Sequence, residues 1–507
     1  MTFIKIQINQ TRRFYCLIIL FSVIISIPNV HSEFLKKNNR ESSRFEYENL
    51  QNDSTKKVIH IKDFGAIGNG KVNATIAFQK AAEYLQANGG TLIIDPGTYI
   101  VGKQFLSKSF DAGYSYNPEP ILSFTNAKKP IIISGYKAVL KAANGLNYGS
   151  FNPITGMVDS VRSTGKRISY NASAYIFIVA SDCASISIKG LTLDGNSGML
   201  NISPPFDKYG NQLSATGITL YKNRNAEIVD CYIHHCALDA IIITWPGLKN
   251  TDPIYPHTIK NVIARFNGRQ GLSWVGGNNL TVINSEFSST GKAINKGMPV
   301  VGLPGAGIDI ENEDAIIKNG NFINCIVYDN AGYGLSSIGN DTYNINFKKV
   351  TFIGTTKDAA FPKSQYFSFD SCTFVGQVVG IHGSADKAKA NYFKNCLFTM
   401  DKNLSPNGKV FGKNCAFYDA ENVIFNNCVF NSGTGRLPVF NQKEIEFINC
   451  TFIQNSNEDF RAIATFKGTT QFVMRGQGKI IRSEGTFEGK IIYNNQFYSD
   501  INKIYLK

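Results

Sequence analysis

Along most of this chain apolar residues fall on every second position in short runs, each run closed by Asn, Asp, Ser or Gly. Strict alternation sends successive side chains to opposite faces of a strand, so the pattern predicts many short strands joined by tight polar turns. Helical spacing is scarce. It is clear over residues 73–87, where Ile76, Phe78, Ala81, Ala82 and Leu85 define an apolar stripe, Asn73 or Thr75 can cap the start and Gly89-Gly90 stops the helix. A strand from Val58 precedes it, and a strand at residues 91–94 with a turn at Asp95-Pro96-Gly97 follows.

Later in the chain the pattern becomes a repeat. A turn residue, then Cys or another small residue, any residue, and Phe, Tyr or Val recur. Examples are Asp230-Cys231-Tyr232-Ile233, Asn284-Ser285-Glu286-Phe287, Asn324-Cys325-Ile326-Val327, Lys349-Val350-Thr351-Phe352, Ser371-Cys372-Thr373-Phe374, Asn395-Cys396-Leu397-Phe398, Asn427-Cys428-Val429-Phe430 and Asn449-Cys450-Thr451-Phe452. Steps of about 22 to 25 residues separate most of the later copies, which is one coil of a solenoid per repeat. Cys415 falls out of step.

The opening of the mature chain carries a more specific signal. Asp63-Phe64-Gly65-Ala66-Ile67-Gly68-Asn69-Gly70, the helix, and Gly90-Thr91-Leu92-Ile93-Ile94-Asp95-Pro96-Gly97-Thr98-Tyr99 together resemble the N-terminal cap of the pectate-lyase-like superfamily, tailspike-like proteins included. That resemblance implies an all-β fold, a single-stranded right-handed parallel β-helix with an α-helical cap. The expected organisation is a secretory signal peptide at 1–32, a flexible leader at 33–57 and one β-helix domain at 58–507, with the cap at 58–100 and clear coils at 186–500.

A second motif, Gly or Ala before an apolar residue, aligns the coils at Gly217-Ile218, Ala240-Ile241, Gly271-Leu272, Gly307-Ile308, Gly334-Leu335 and Gly380-Ile381. Coils should stack ~4.8 Å apart. One ladder position then reads Thr219, Ile242, Ser273, Asp309, Ser336 and His382, and another reads Tyr221, Thr244, Val275, Glu311 and Ile338. If Ile308 and Ile310 point inward, Asp309 and Glu311 stand outward on one strand, ~6.6 Å apart at Cα, close enough to perturb each other's ionisation. The extra chain between coils is concentrated here, with residues 287–305 as the largest insertion, so loops should wall a groove on the carboxylate side. The alternation favours chemistry or ligand binding over a Ca²⁺ site or a solvated acidic turn continuing through Asn312, Glu313 and Asp314.

The polygalacturonases of the same superfamily carry a three-rung signature of Asn-Thr-Asp, Asp-Asp and Gly-His-Gly. The matching rungs here are Ala215-Thr216-Gly217, Leu238-Asp239-Ala240 and Arg269-Gln270-Gly271, and only Asp239 survives. The candidate catalytic residues are therefore Asp309, Glu311, Asp239 and Arg269. Gln270 and the aromatics Tyr221, Trp245 and Tyr333 are candidates for substrate binding. Trp274 reads as an inward core residue by parity, and His234, His235 and His382 as structural histidines.

Composition and charge narrow the partners. Lys and Arg exceed Asp and Glu to give a formal charge of +14, which suits an anionic partner such as an acidic glycan. The basic residues are dispersed and not interleaved with aromatics, which argues against nucleic acid. Lys5, Arg12 and Arg13 precede an apolar run over residues 14–27, and Val30-His31-Ser32 offers small residues for cleavage, so the chain is expected outside the cytoplasm, secreted, periplasmic or at the cell surface. No later stretch is apolar enough for a membrane span. Apart from Cys16 nine cysteines are left, and those that share one slot of the coil are expected to be reduced and stacked inward, against the alternative of disulfides. No His or Cys cluster has zinc spacing, so no metal site or cofactor is expected, with Ca²⁺ needed only for a lyase.

Three functions stay open at this stage. The carboxylate pair favours glycoside hydrolysis of a polysaccharide; the positive charge and Arg269 favour a polysaccharide lyase or uronate epimerase; the incomplete signature favours a non-catalytic glycan-binding or adhesive solenoid, as monomer or trimer.

Overall fold

The computed structural model describes residues 57–498, apart from 110–112, 152–169, 204–210, 314, 382–385, 416–421, 434, 438–439, 461 and 478–485. The expected signal peptide and leader, and His382, lie outside the described residues.

The chain winds as a right-handed parallel β-helix, with almost every strand paired to the strand one coil earlier and one coil later. A coil has three sides. Strands such as Ala226–Val229 and Tyr232–His234 form two of them, and their stacks join into one 29-stranded sheet. The third side is an eight-stranded sheet whose members, in coil order, are β1 (Leu122–Thr125), β2 (Tyr175–Ser181), β3 (Ala215–Tyr221), β4 (Ile241–Thr244), β5 (Gln270–Trp274), β6 (Ala306–Glu311), β7 (Leu335–Ile338) and β8 (Ala360–Pro362). A smaller five-stranded sheet, including the antiparallel hairpin of Gln104–Ser109 and Gly113–Pro118, extends sideways from the early coils and left no repeat signal in the sequence.

The repeat motif marks one corner of the coil. The residue before each small slot sits in the left-handed region, with φ near 50–56° at Asp230, Asn284, Asn324, Ser371, Asn395, Asn427 and Asn449. Asn and Asp tolerate that conformation better than other non-glycine residues, which is why they recur there. The next residue turns inward, and the Phe two further on enters the core. Two phenylalanine columns result. Phe347, Phe369, Phe393, Phe425, Phe447 and Phe466 stack at centroid spacings of 4.6–5.2 Å, and Phe352, Phe374, Phe398, Phe430, Phe452 and Phe472 at 4.8–5.3 Å. Earlier coils fill the same space with aliphatic side chains such as Ile188, Ile228, Ile259 and Val282.

All nine cysteines after Cys16 are buried and unpaired, and six of them, Cys231, Cys325, Cys372, Cys396, Cys428 and Cys450, stand in the single-file slot. Thiols at the corner donate to backbone carbonyls, for example Cys450 to Phe425 O at 3.4 Å. Cys415 lies on the third side of its coil, where Asn414 bridges Arg436 and the thiol meets the Arg436 carbonyl at 3.5 Å. Its position off the corner explains its being out of step.

The cap helix α1 spans Thr75–Asn88, two residues later than the spacing suggested. Asn73 does not cap it in the usual sense. Its side chain instead accepts from the Thr75 amide and hydroxyl, at 3.0 and 2.7 Å, and donates to Gly102 O at 2.9 Å, tying the helix start to the first coil. Phe78, Ala81, Ala82 and Leu85 are buried, whereas Ile76 is 45% exposed, because it lies about 200° around the helix from Phe78.

Candidate active site

The carboxylate pair stands on β6, in the interior of the eight-stranded sheet. Ile308 and Ile310 are fully buried in the core, so parity turns Asp309 and Glu311 to the outer face as expected. The register is Thr219, Ile242, Ser273, Asp309, Ser336 along one row and Tyr221 beside Thr244, with Glu311 beside Ile338, along the other. One coil was misread: the residue after Ser336 is Phe361 on β8, because Ala359-Ala360 takes the place of a glycine-led motif, and His382 is not the next rung.

Outward does not mean exposed here. Asp309 is only 2% accessible, while Glu311 at the strand end is half-buried. The 287–305 insertion walls the Arg269 side of this face. It contains a short antiparallel pair, Ile294–Asn295 with Met298–Pro299, and folds back over earlier coils. Asn295 donates to Ser197 O and Leu200 O at 2.7 and 2.9 Å, Gly302 N donates to Gly268 O at 3.0 Å, and Gln212 donates to Leu303 O at 3.4 Å. A Cβ on Gly302 would lie 3.4 Å from Arg269 Cβ, so the loop rests against the arginine stem.

Around Asp309 the polar groups interlock. Gln270 Nε2 donates to Asp309 Oδ2, and Ser336 hydrogen-bonds the same carboxyl from the facing rung. Burial, followed by the charge of Glu311, pushes the Asp309 pKa up to about 7, against the lesser pull of Ser336 and Arg269. Burial also raises Glu311, with Glu313 adding to it and Arg269 opposing. Two rungs away, Asp239 is completely buried and gives both oxygens to Arg269, Oδ1 to Nε at 2.9 Å and Oδ2 to Nη2 at 2.5 Å. That pairing outweighs burial and holds the guanidinium firmly cationic. Arg269 Nη1 also donates to Gln212 Oε1 at 3.3 Å.

The structure thus brings Asp309, Glu311, Gln270, Arg269 and Asp239 into one constellation, but in unlike positions. Asp239 has no free oxygen and no exposure, so it can only hold Arg269. Tyr221 lies in the Glu311 row on β3, ~14 Å away at one rung per ~4.8 Å, with Lys222 Nζ 5.3 Å from its ring. Trp245 follows β4 and stacks on Tyr255 at 4.1 Å. Tyr333 stacks on Phe361 at 5.0 Å with Lys357 Nζ 4.1 Å from its centroid, so its ring is already engaged. Trp274 is fully buried, as its parity required. Ser336 and Gln212 were not among the candidates. Ser336 stood in the Asp309 row and could have been chosen from its place on the next rung, whereas Gln212 is brought in by a turn with no repeat signal. A cavity of about 490 Å³ opens elsewhere, between α1 and β1, but its lining, which includes Gln79, Glu83, Gln86 and Ser123, offers one carboxylate and no partner for it.

No protein-family model and no curated protein sequence matches the chain. Solved structures do. An A-module of a mannuronan C-5 epimerase from Azotobacter vinelandii is similar over 86% of this chain and 98% of its own, at 16% identity and a TM-score of 0.39. The N-terminal fragment of gene product 12 of bacteriophage Phi29 gives 87% and 73% coverage, 14% identity and a TM-score of 0.47. A family 28 exopolygalacturonase from Yersinia enterocolitica gives 87% and 78% coverage, 12% identity and 0.34. At such identities the likeness is one of coil architecture.

Proposed function

We propose that the chain is a secreted, carbohydrate-active β-helix that hydrolyses glycosidic bonds in a polysaccharide, with Asp309 as proton donor and Glu311 as the second carboxylate. The observation that carries this reading is a carboxyl group held at a pKa of about 7 on an outward strand row, two residues from a second, more accessible carboxylate. Glycoside hydrolysis needs such an unequal pair. Gln270 donates to Asp309 Oδ2 and Ser336 hydrogen-bonds the same carboxyl, so the two neighbouring rungs orient the group that carries the proton. That proton passes to the glycosidic oxygen as its bond to the anomeric carbon breaks. Glu311, ionised, either takes a proton from the attacking water or bonds to the anomeric carbon, according to whether the reaction inverts or retains. Arg269, fixed by Asp239, places a positive charge beside the acid and can receive an anionic sugar substituent.

A lyase that used Arg269 as its base is disfavoured, because both carboxylate oxygens of Asp239 hold that side chain protonated. The mature protein should be incubated with neutral and acidic polysaccharides, with and without chelator. New reducing ends without ultraviolet-absorbing products are expected. Unsaturated products would establish the lyase, and binding without any product would establish the non-catalytic solenoid. For the hydrolase kcat/KM should fall about tenfold per pH unit above pH ~7, as Asp309 loses its proton.

A further inference from the structure

A second cluster of reactive side chains lies on another face of the coil. The outward row beginning at Lys141 continues one rung at a time through Asp194, His234 and Arg265. His235 follows His234 at the corner in the left-handed region, φ 53°, which swings its ring back toward its neighbour. Three groups converge. One ligand atom each from Asp194, His234 and His235 can be chosen so that all lie within 4.8 Å of one another. His234 Nδ1 is 2.8 Å from His235 Nδ1 and 3.7 Å from Asp194 Oδ1.

We infer that Asp194, His234 and His235 form a binding site for a divalent transition cation of the Zn²⁺ class, tying two consecutive coils together. A tetrahedral ion with bonds of 2.0–2.2 Å separates its ligands by ~3.3 Å, and the two observed distances fall on either side of that value. Two imidazoles and one carboxylate suit Zn²⁺ and its neighbours and do not suit Ca²⁺ or Mg²⁺, which take oxygen. The outer shell is already built. Asp194 Oδ1 accepts from the Asn196 amide at 2.9 Å and Lys141 stands 3.4 Å from Oδ2, while the His234 ring stacks on Tyr232 at 4.3 Å and the His235 ring on Phe266 at 5.2 Å. Such partners fix ring orientation in metal sites. The nearest further cation, Arg265, is satisfied by Glu286, with Nε to Oε1 at 2.9 Å.

The two Nδ1 atoms face each other at 2.8 Å, a hydrogen-bond distance at which one of them carries a hydrogen. Moving that hydrogen to Nε2 of the same ring frees both Nδ1 lone pairs, so the ion enters with no net release of protons from the histidines. Asp194 and His234 are only 17% and 15% accessible, which leaves a solvent-facing opening for a fourth ligand such as water.

The test is calorimetric titration of the tag-free, chelator-stripped mature protein with ZnCl₂, together with the visible spectrum of its Co²⁺ form. One equivalent of Zn²⁺ should bind, and Co²⁺ should give the intense visible band of a four-coordinate site. Asp194→Asn should weaken the affinity at least ~10-fold, and His234→Gln with His235→Gln should remove that equivalent. Asp309→Asn should leave it unchanged, because the groove is a separate site. The inference fails if the wild-type protein takes up no stoichiometric Zn²⁺ or if the folded double variant binds as well as the wild type. It also fails if Co²⁺ gives only the weak spectrum of an octahedral ion. The Co²⁺ spectrum decides the matter even if the double variant does not fold.

Discussion

The two halves of the solenoid use the same corner and fill it differently. Coils before about residue 340 mix aliphatic side chains with scattered aromatics such as Phe177, Trp274 and Phe287, carry a third-side strand on nearly every turn and support the long insertion before β6. Coils after it run two unbroken phenylalanine columns, and among the described residues the third-side sheet ends at β8. The columns keep their spacing through steps of 22, 24 and 32 residues, from Phe347 to Phe369, Phe393 and Phe425. The earlier coils take steps of up to 36 residues, from Gly271 to Gly307, and the extra chain of that step meets Arg269. Both halves admit long steps, and the loop that meets Arg269 and the carboxylate row of β6 belong to the earlier one.

This contrast can be broken from either side. Phe398→Ala, in the middle of one column and fully buried, should cost ~3–5 kcal/mol of unfolding free energy, read by denaturant titration, while leaving kcat/KM at low temperature intact. Asp309 should act on stability in the other half. Its folded-state pKa of about 7 lies above the ordinary 3.8, so its neutral form favours folding fully below pH ~4, and that contribution is lost as pH rises toward 7. The loss amounts to at most ~4 kcal/mol, so Asp309→Asn should gain on the wild type between pH 4 and pH 8 by up to that amount. Equal pH profiles for the two proteins would show that Asp309 titrates normally.

On activity the weights reverse. Asp309→Asn and Glu311→Gln should each lower kcat at least ~100-fold, about 2.7 kcal/mol, with a thermal midpoint no lower than that of the wild type at pH 7. Two folded amide variants with full turnover would reduce the β6 row to a structural feature. The smallest effect belongs to the cysteines. A reductant should leave the thermal midpoint unchanged, and alkylation of the unfolded but unreduced protein should label most of the nine, because all are unpaired and six of them stand in single file at the corner.

Legibility followed the same division. The coil length, the corner motif and the inward cysteines could be read from residues 230 to 452 because one physical requirement, a left-handed turn followed by a small inward side chain, is repeated at each step. Asp309 and Glu311 could be placed on the outer face because Ile308 and Ile310 fix the parity. Their unequal burial could not, since it depends on how Gln270 and Ser336 close on Asp309 from the neighbouring rungs. The rung at Phe361 was missed because Ala359-Ala360 lacks the glycine that marked its neighbours. Asp194 joins His234 and His235 only through coil stacking across forty residues, so no spacing within a motif could reveal the cluster. Gln212 reaches Arg269 in the same way, from a turn.

The ends of the molecule have a consequence of their own. A stack of parallel coils exposes unpaired backbone donors and acceptors at its first and last strands, and nothing in the coil geometry tells it where to stop. At one end α1 packs Phe78, Ala81, Ala82 and Leu85 against the first coils. At the other, Phe487–Tyr493, the last parallel strand among the described residues, pairs over Ile491–Tyr493 in the antiparallel direction with Gln496–Tyr498. Cap and hairpin therefore break, at the outermost described strands, the repeat on which a further parallel coil would stack.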